Sequence, residues 1–353
     1  MKPLSIEGLG ILCACGRGIE KFECALRAGW VAPQFSADGR PAYRVNTHDL
    51  VDREVLKKAR RADRFSKMTV LAAHDAMVDS SLQIEDIRET GVILATAFGA
   101  HSATFRFMDN IIDYGELNVS PTTFAHTLHN AAASYLTSVL GCRGPTLTIT
   151  QFYFVFHQAL QLAYSWLLEG RVERVLVGVT DELSTVMEYI CDEKLSIAYD
   201  GRMHPLSCLK RPKVVPGEGS AFFLLSLDPA RKRYGSICEI EIGPSRAAPE
   251  DVDLSVIGAN AMAGSEKLYE RALKDGLDVA AYTNIYGGLM TGAGFECVAS
   301  ALMLKNQVRY ASSTFAKPKR WKVTETTVPE ELNTIRCIAH SCEGELAFLK
   351  IEK

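Results

Sequence analysis

The sequence predicts an α/β fold in which helices and sheets form packed layers. Short apolar runs bounded by glycine or polar residues alternate along the chain with amphipathic stretches, whose apolar residues return every three or four positions. A chain of 353 residues is also longer than a single hydrophobic core usually grows. A fresh strand pattern begins at residue 237 and repeats the pattern at the N-terminus, which indicates two related halves.

The strands and helices can be placed in order from these patterns. Apolar runs predict strands over 4–12, 91–97, 146–150, 174–178, 220–226 and 237–242. Amphipathic periodicity predicts helices over 66–79, 126–140, 155–168 and 295–306. A basic turn divides the chain into an N-terminal half over 1–232 and a C-terminal half over 233–353. The second half is short for a full copy of the first, and no Gly/Ser-rich linker separates them, so we expect one shared core.

Composition excludes several classes of protein. Apolar residues make up 47% and charged residues 23%, which is ordinary for a globular chain and unlike a disordered one. A formal net charge of -3, without a long run of lysine and arginine, predicts no nucleic-acid partner. No apolar run is long enough to span a bilayer and the N-terminus lacks a secretory signal, so we expect no membrane partner and a cytoplasmic location.

Ten cysteines are spread over the chain. Without a secretion signal they predict reduced thiols rather than a disulfide framework. Cys13 and Cys15 are separated by one residue, and no CxxC pair or Cys/His cluster has the spacing of a zinc site, so we expect no metal. We expect the cysteines to pack in the core, because free cysteine behaves as a small hydrophobe.

Several blocks of sequence, in order along almost the whole chain, resemble the β-ketoacyl synthase family. In the N-terminal half they read RADRFSKMTVLAAHDAM, GVILATAFGAHSATFRF and VSPTTFAHTLHNAAASYLTSVLGCRGPTLTI. Further along they read RVERVLVGVTDE, RPKVVPGEGSAFFLLS, TGAGFECVASALMLKNQVRYAS and CIAHSCEGELAFLKIEK, the last without most glycines of the family's closing hairpin. The resemblance implies a thiolase-like fold, with two related halves in an αβαβα layered arrangement and a shortened C-terminal half.

The resemblance also implies one catalytic cysteine and two catalytic histidines, and all three are missing from their expected positions. Decarboxylative condensation needs a thiolate at a helix N-terminus, where the helix dipole and backbone N–H groups stabilise negative charge, and two imidazoles for the enolate. Counted from the family's Gly-Pro, the cysteine position holds Tyr153. The histidine motifs match Tyr286 and Gly288, and the lysine-bearing segment between them is absent. A phenol with a pKa of about 10 is a poor nucleophile at neutral pH, so we expect no condensation here.

The strand-to-helix turn that carries Tyr153, here called the elbow, is rich in aromatic residues. Phe152, Tyr153, Phe154 and Phe156 place four aromatic residues within five positions. Such a cluster indicates either a plug in the acyl space or ordinary core and interface packing.

Four of the other histidines have less specific interpretations. His126 and His129 stand three residues apart on the predicted helix 126–140, which is a weak metal or catalytic signal without a third ligand. His157 is expected to cap or pack against the helix that it opens. His340 is expected to pack in the closing hairpin.

A family member without its nucleophile resembles the chain-length factor of type II polyketide synthases, which forms a heterodimer with an active ketosynthase. The resemblance therefore implies an active ketosynthase subunit and an acyl carrier protein as partners. It implies that phosphopantetheine is carried by the carrier protein and that no cofactor binds this chain. Chain-length factors usually have glutamine at the cysteine position, so a chain with Tyr153 there is a divergent member.

In such a pair, bulky side chains of the inactive subunit close the tunnel and limit product length by volume. The predicted helix 126–140 corresponds to the family's interface helix. The expected tunnel or interface positions on this helix and the elbow are Thr127, Leu128, Ala131, Ala132, Tyr135, Gln151, Phe152, Tyr153 and Phe154. The alanines are equally consistent with close helix packing.

Other hypotheses fit the same sequence. The ketosynthase partner could make aryl-polyene or fatty-acyl chains instead of aromatic polyketides, since the discriminating feature is tunnel volume. The chain could be an acyltransferase or hydrolase that uses another cysteine, such as Cys142 or Cys342, and thiol alkylation separates that case. A stand-alone acyl-binding protein is a further alternative.

Overall fold

The computed structural model describes residues 1–244, 247–249, 251–260, 265–312 and 320–353. Its strands are β1 (Leu4–Cys13), β2 (Gly16–Arg17), β3 (Gln34–Phe35), β4 (Pro41–Ala42), β5 (Gly91–Thr96), β6 (Thr146–Thr150), β7 (Arg174–Asp181), β8 (Gly219–Ser226), β9 (Ser236–Pro244), β10 (Leu254–Ile257), β11 (Val279–Ala280), β12 (Val308–Arg309), β13 (Val328–Pro329), β14 (Thr334–His340) and β15 (Glu345–Glu352).

The α-helices are α1 (Ile19–Ala28), α2 (Arg64–Ser80), α3 (Ile84–Arg88), α4 (His101–Tyr114), α5 (Pro121–Thr127), α6 (Ala131–Leu140), α7 (Val155–Leu168), α8 (Thr185–Lys194), α9 (Ser265–Ala272), α10 (Thr283–Tyr286) and α11 (Gly292–Asn306). Short 3-10 helices lie at Thr47–Leu50, Val55–Lys57, Glu116–Asn118, Ser207–Leu209 and Pro229–Arg231. All six predicted strands are confirmed, as β1, β5, β6, β7, β8 and β9. Three of the four predicted helices are confirmed, as α2, α7 and α11.

In the described chain the main sheet follows the order β11-β10-β14-β15-β9-β1-β8-β7-β5-β6, with β2 paired to β1 in a hairpin. The two ends of this order repeat each other. β6, β5 and β7 are parallel neighbours followed by antiparallel β8 and β1, while β11, β10 and β14 are parallel neighbours followed by antiparallel β15 and β9. The two five-strand units join where Leu4 and Ser5 pair with Ile237 and Ser236. Two related halves are thereby confirmed, and the boundary at residue 232 stays a prediction.

Helices separate and cover these two units. α7 and α11 lie in the centre, where they share one apolar core with strands of both units. Nearly all of α11 is buried, as expected for a helix that is apolar on every side. α2 and α6 cover the outer face of the N-terminal unit, and α9 covers the outer face of the C-terminal unit. The αβαβα layering of the thiolase-like fold is therefore confirmed.

Two glycines of β1 allow α2 to lie very close to the sheet. A Cβ atom at Gly10 would stand 1.9 Å from the Ala72 carbonyl oxygen, and one at Gly8 would stand 2.3 Å from the Ala76 carbonyl oxygen. Only glycine fits at such a separation without movement of the helix backbone.

The predicted helix 126–140 is wrong as a single helix. α5 ends at Thr127, Leu128 is extended with φ -75° and ψ 127°, and α6 begins at Ala131. Tertiary contacts account for the break, because His129 shares a 3.0 Å hydrogen bond with Thr150 of β6 and lies against the loop after β5.

The break also separates the two histidines that the sequence placed on one helix. His126 Nε2 shares a 2.9 Å hydrogen bond with the Tyr135 hydroxyl on α6, whereas His129 is directed to β6. Within the described residues, no group of three histidine, cysteine or acidic side chains lies close enough to hold a metal ion.

The longest helix of the described chain is α2, which has 17 residues. No helix in these ranges combines the length and the apolar character that crossing a bilayer requires.

All nine cysteines that the structure describes are free thiols. Those buried in the core are Cys13, Cys142, Cys297 and Cys337. The prediction of core packing is wrong for Cys24 and Cys342, which are exposed on α1 and in the β14–β15 turn. A thiol is small enough to be tolerated on a surface as well as in a core.

Candidate functional site

The candidate site lies at the elbow, where β6 leads into α7. Gln151 and Phe152 are exposed, Tyr153 is half-buried, and Phe154 adopts a left-handed backbone conformation with φ 59° and ψ 16°. A bulky residue with positive φ is uncommon and costly, and such residues cluster at functional sites. The turn presents Tyr153 directly before the N-terminus of a 14-residue helix, where the resemblance implies the nucleophile.

The β14–β15 turn, residues 341–344, lies beside Tyr153. Burial and a hydrogen bond with the Cys342 side chain raise the pKa of Tyr153 to about 12. At neutral pH the phenol therefore keeps its proton. A protonated phenol without an adjacent base is a poor nucleophile toward a thioester.

The aromatic residues of the elbow do not form one plug. Phe152 is directed outward and packs on Phe98, with 5.3 Å between ring centroids. Tyr153, Phe154 and Phe156 instead line a small cavity beneath the elbow. The plug interpretation is therefore wrong for Phe152, because the turn directs its ring away from the cavity.

The cavity beneath Tyr153 has a volume of about 30 Å³, which is room for one or two water molecules. His157 of α7, Glu296 of α11 and His340 of β14 contribute to its wall, and all three are buried. Within the described residues, both ring nitrogens of His157, Oε2 of Glu296 and Nε2 of His340 have no hydrogen-bond partner. Buried polar atoms of this kind usually bind ordered water.

Burial also determines the charge of these three groups. It raises the pKa of Glu296 to about 8, which the nearby Tyr286 hydroxyl partly opposes. It lowers the pKa of His157 to about 4 and lowers that of His340. At neutral pH Glu296 is mostly protonated and both imidazoles are neutral. The cavity therefore offers hydrogen bonds without net charge, which suits water or a neutral carbonyl better than a free carboxylate.

The two positions matched to the family's histidines, Tyr286 and Gly288, lie at the end of α10 and two residues after it. Tyr286 is completely buried, its ring stacks on Phe295 at 4.9 Å between centroids, and burial raises its pKa far above the ordinary range. A Cβ atom at Gly288 would stand 2.4 Å from Val214 Cγ2, so an imidazole does not fit there without movement. Neither position supplies a base.

A larger, mainly apolar cavity of about 220 Å³ adjoins the first. Asn260, Leu289 and Met290 line both cavities, and α8 contributes Met187 and Ile190 to the larger one. The two spaces therefore meet at the Gly288–Met290 loop. An apolar cavity of this size suits a short acyl chain or another small apolar group.

Two buried carboxyl groups border the larger cavity. Asp181 accepts hydrogen bonds from the Thr96 hydroxyl at 2.8 Å and the Ala97 backbone N–H at 2.9 Å, and Glu182 accepts one from the Ser102 backbone N–H at 2.8 Å. Burial raises their pKa values to about 6 and about 7. Their hydrogen bonds hold the loop between β5 and α4, which gives them a structural role.

The predicted tunnel or interface positions around the α5–α6 break lie in different environments. Leu128 is 47% exposed, and Thr127 and Ala131 are half-buried beside it. Tyr135 is half-buried on α6. Ala132 is completely buried in the core that α6 shares with α2, which is the close-packing alternative for the alanines.

The sequence analysis did not find the cavity wall beneath Tyr153. His157, Glu296 and His340 come from three distant segments, and only the fold brings them together. One signal was available, because Glu296 is the sole carboxylate in the apolar stretch GAGFECVASALML. A lone carboxylate in a buried helix often marks a functional or water-binding position.

Comparisons with known proteins fit this geometry. Residues 1–230 match the family model for the Beta-ketoacyl synthase, N-terminal domain. The 3-oxoacyl-[acyl-carrier-protein] synthase 2 of Vibrio harveyi is 27% identical over 196 residues, which are 51% of this chain and 46% of that protein. The chain spans less than two thirds of the length of the first curated relatives that it matches.

Solved structures share the fold over the full chain. A beta-ketoacyl synthase from Burkholderia phymatum STM815 has a TM-score of 0.86 at 15% identity, covering 100% of both chains. The ishigamide ketosynthase/chain length factor has a TM-score of 0.81 at 14% identity, covering 100% of this chain and 99% of that one. Likeness at such identity concerns the fold alone. Because the family model matches well over half of the 353 residues, the chain belongs to the beta-ketoacyl synthase family.

Proposed function

We propose that this chain is the non-condensing partner subunit of an active ketosynthase, a chain-length factor of a cytoplasmic type II polyketide synthase. The observation that carries the proposal is Tyr153, a protonated phenol at the elbow where condensation needs a thiolate. Tyr286 and Gly288 supply neither imidazole. The family scaffold is thus retained without the groups that perform the chemistry.

An exposed apolar surface supports the requirement for a partner subunit. β6 is an edge strand, and no strand of the described chain pairs with its outer side. Large apolar side chains of α4, α5, β6, the segments between them and the elbow are 45% to 94% exposed. We call this surface the edge face. It consists of Met108, Ile112, Tyr114, Leu117, Phe124, Leu128, Leu147 and Phe152. An unpaired strand beside exposed apolar side chains favours association with another chain.

The edge face also gives the proposal its mechanism. The cavity beneath Tyr153 is too small for a growing chain, so the product would extend in a tunnel of the ketosynthase that ends at this subunit. Leu128 lies on the edge face and Ala131 lies beside it. Their side-chain volume would limit the number of extension cycles. The likeness of fold to a ketosynthase/chain length factor supports this arrangement.

The proposal assigns the covalent chemistry to the partners. The acyl carrier protein would carry the phosphopantetheine arm, the ketosynthase would supply the cysteine, and this chain would bind no cofactor. A partner that makes aryl-polyene or fatty-acyl chains fits the same surface, and the product decides between these classes.

The first experiment is co-expression with a ketosynthase that retains its cysteine and both histidines. With a carrier protein and malonyl units, we expect a stable one-to-one heterodimer that makes a product of defined length only when this chain is present. Size-exclusion chromatography with mass analysis measures the assembly, and mass spectrometry measures the product. A homodimer of this chain that condenses acyl groups unaided would refute the proposal.

The tunnel assignment is tested by adding side-chain volume at its expected end. Leu128→Trp and Ala131→Trp should each shorten the product, because the added volume brings the tunnel end closer. Matched controls are Leu168→Trp, at a leucine that is 48% exposed at the end of α7, and Ala28→Trp, at an exposed alanine of α1. Unchanged product length in both the Leu128 and the Ala131 variants would contradict the tunnel assignment.

A second candidate function is acyl transfer or hydrolysis by another thiol, and the position of Cys342 favours it. Cys342 is exposed and lies beside Tyr153 at the elbow. Cys142 is a poor nucleophile, because burial raises its pKa to about 11. If this function holds, Cys342 should be alkylated much faster than Cys24, the exposed cysteine of α1. It should also take up an acyl group that Cys342→Ser does not.

A further inference from the structure

A pair of thiols lies at the end of β1, on a different element from the elbow. β1 ends at Cys13, which pairs with Gly16 of β2 across a two-residue turn formed by Ala14 and Cys15. The turn directs both cysteines to the same side, and their Sγ atoms are 3.2 Å apart. No step of the proposed function uses them.

The two thiols differ in access. Cys13 is completely buried, whereas Cys15 is partly accessible to solvent. The hydrogen bond with Cys13 and burial raise the pKa of Cys15, and the Lys21 ammonium opposes this shift. Cys15 should therefore react slowly with an alkylating reagent, while its neighbour is already in place for an intramolecular reaction.

We propose that Cys13 and Cys15 are an oxidative modification site that closes reversibly to an intrachain disulfide. A peroxide first oxidises the small thiolate fraction of the accessible Cys15 to a sulfenic acid and is itself reduced to water; the raised pKa makes this first step slow. The Cys13 sulfur then attacks the Cys15 sulfur, the S–O bond breaks, and a second water leaves with the Cys13 proton. One peroxide and two thiols thus give one disulfide and two waters, and an external dithiol reverses the change.

The surroundings favour this covalent change over metal binding. Within the described residues, no third cysteine, histidine or carboxylate joins the pair in a metal-binding group. The hairpin is also anchored beside the pair, because Arg17 forms ion pairs with Asp52 at 2.9 Å and with Asp75 of α2 at 2.6 Å. Anchoring keeps the two sulfurs close, which raises the rate of their reaction with each other.

The test uses the full chain treated with hydrogen peroxide or with oxidised glutathione, then unfolded in denaturant, blocked with iodoacetamide and digested with trypsin. We expect the peptide that ends at Arg17 to lose two hydrogen atoms and to resist alkylation until dithiothreitol is added. The disulfide should exceed the Cys15–glutathione adduct at least about tenfold, whereas Cys24, a lone exposed cysteine and the internal control, should keep its glutathione adduct. Cys13→Ser and Cys15→Ser should each abolish the mass change.

Two outcomes on the unmodified sequence would overturn the proposal, and neither depends on a variant that folds. One is full alkylation of both cysteines after oxidation. The other is a glutathione adduct that persists on Cys15 because the Cys13 sulfur does not displace the glutathione. Both readouts are independent of condensation, so their failure leaves the proposed function untouched.

Discussion

β6 and β11 occupy equivalent positions in the two halves of the sheet, yet their surroundings differ. Both residues of β11 are buried, because residues 320–322 lie alongside it: Val279 donates a backbone hydrogen bond to Lys322 at 2.9 Å, and Lys322 donates one to Leu277 at 2.8 Å. β6 has no residue that is fully buried, and in the described chain no strand pairs with its outer side.

The two halves share one architecture but differ in the surroundings of their outer strand edges. The C-terminal half covers its strand edge with its own chain and packs Trp321 beneath the covering segment. The N-terminal half leaves its edge beside the exposed apolar side chains of the edge face. An unpaired strand edge promotes aggregation of a monomer, whereas in a subunit it can bind the partner. The asymmetry between the two edges therefore agrees with the proposed heterodimer.

The largest expected effect concerns the closed edge. Trp321→Ala should lower the free energy of unfolding by about 3 to 5 kcal/mol, because it removes a large buried side chain and leaves a cavity. Phe152→Ala, at an aromatic residue of the edge face that is 55% exposed, should cost less than about 1 kcal/mol. Urea denaturation measures both. Equal losses would show that the open edge is as important for folding as the closed one.

The free energy of unfolding should depend on pH, because Glu296 is buried in the core between the two edges. The folded chain keeps the Glu296 proton up to about pH 8, whereas the unfolded chain loses it near 4.5, so stability should fall as the pH rises through this window. The loss is roughly 5 kcal/mol at most. Asp181 and Glu182 act in the same direction up to about pH 6 and 7.

Glu296→Gln should remove the part of this loss above pH 7. Urea denaturation at several pH values measures it, with Glu20→Gln, at an exposed carboxylate of α1, as a surface control. An unchanged slope in the Glu296 variant would mean that this carboxyl group ionises freely in the folded state.

The open edge is tested through binding. Leu147→Asp places a charge on β6 and should weaken the complex with the ketosynthase about 100-fold, or about 2.8 kcal/mol. Leu168→Asp, at a similarly exposed leucine on α7, is the control and should leave the affinity unchanged. Titration calorimetry measures both. Equal weakening by the two variants would remove the edge face from the interface.

The smallest expected effect is the loss of one polar contact beside each strand edge, β11 and β6. Arg309, which is buried, donates to Asp278 at 2.5 Å beside β11, and Asp278→Asn should cost about 1 kcal/mol. Thr150→Val removes the exposed hydrogen bond to His129 beside β6 and should cost less than about 0.5 kcal/mol. Thermal unfolding measures both losses of stability, and a larger loss for Thr150→Val than for Asp278→Asn would contradict the comparison.

Local periodicity was sufficient for most of the fold. The apolar runs of β1, β5, β7 and β8 and the pattern of α7 persist because their burial agrees with their intrinsic preference. The helix predicted over 126–140 failed because His129 forms a contact with Thr150, and a contact between distant segments outweighs a weak local preference.

The candidate site also combines features that the sequence predicted with features that it did not predict. Counting from Gly144 and Pro145 was enough to place Tyr153 at the elbow, since the strand and the turn are contiguous in sequence. The sequence by itself thus determined the layered fold, the family and the absence of a cysteine from that position.

Only the tertiary structure decided what surrounds Tyr153 and which edge is open. Glu296 and His340 reach the cavity from the other half of the chain, and Cys342 reaches Tyr153 from a turn almost two hundred residues away. Residues 320–322 cover β11, whereas no strand of the described residues pairs with the outer side of β6. These features depend on contacts between distant segments, which periodicity and propensity do not encode, because both describe only the near neighbours of a residue along the chain.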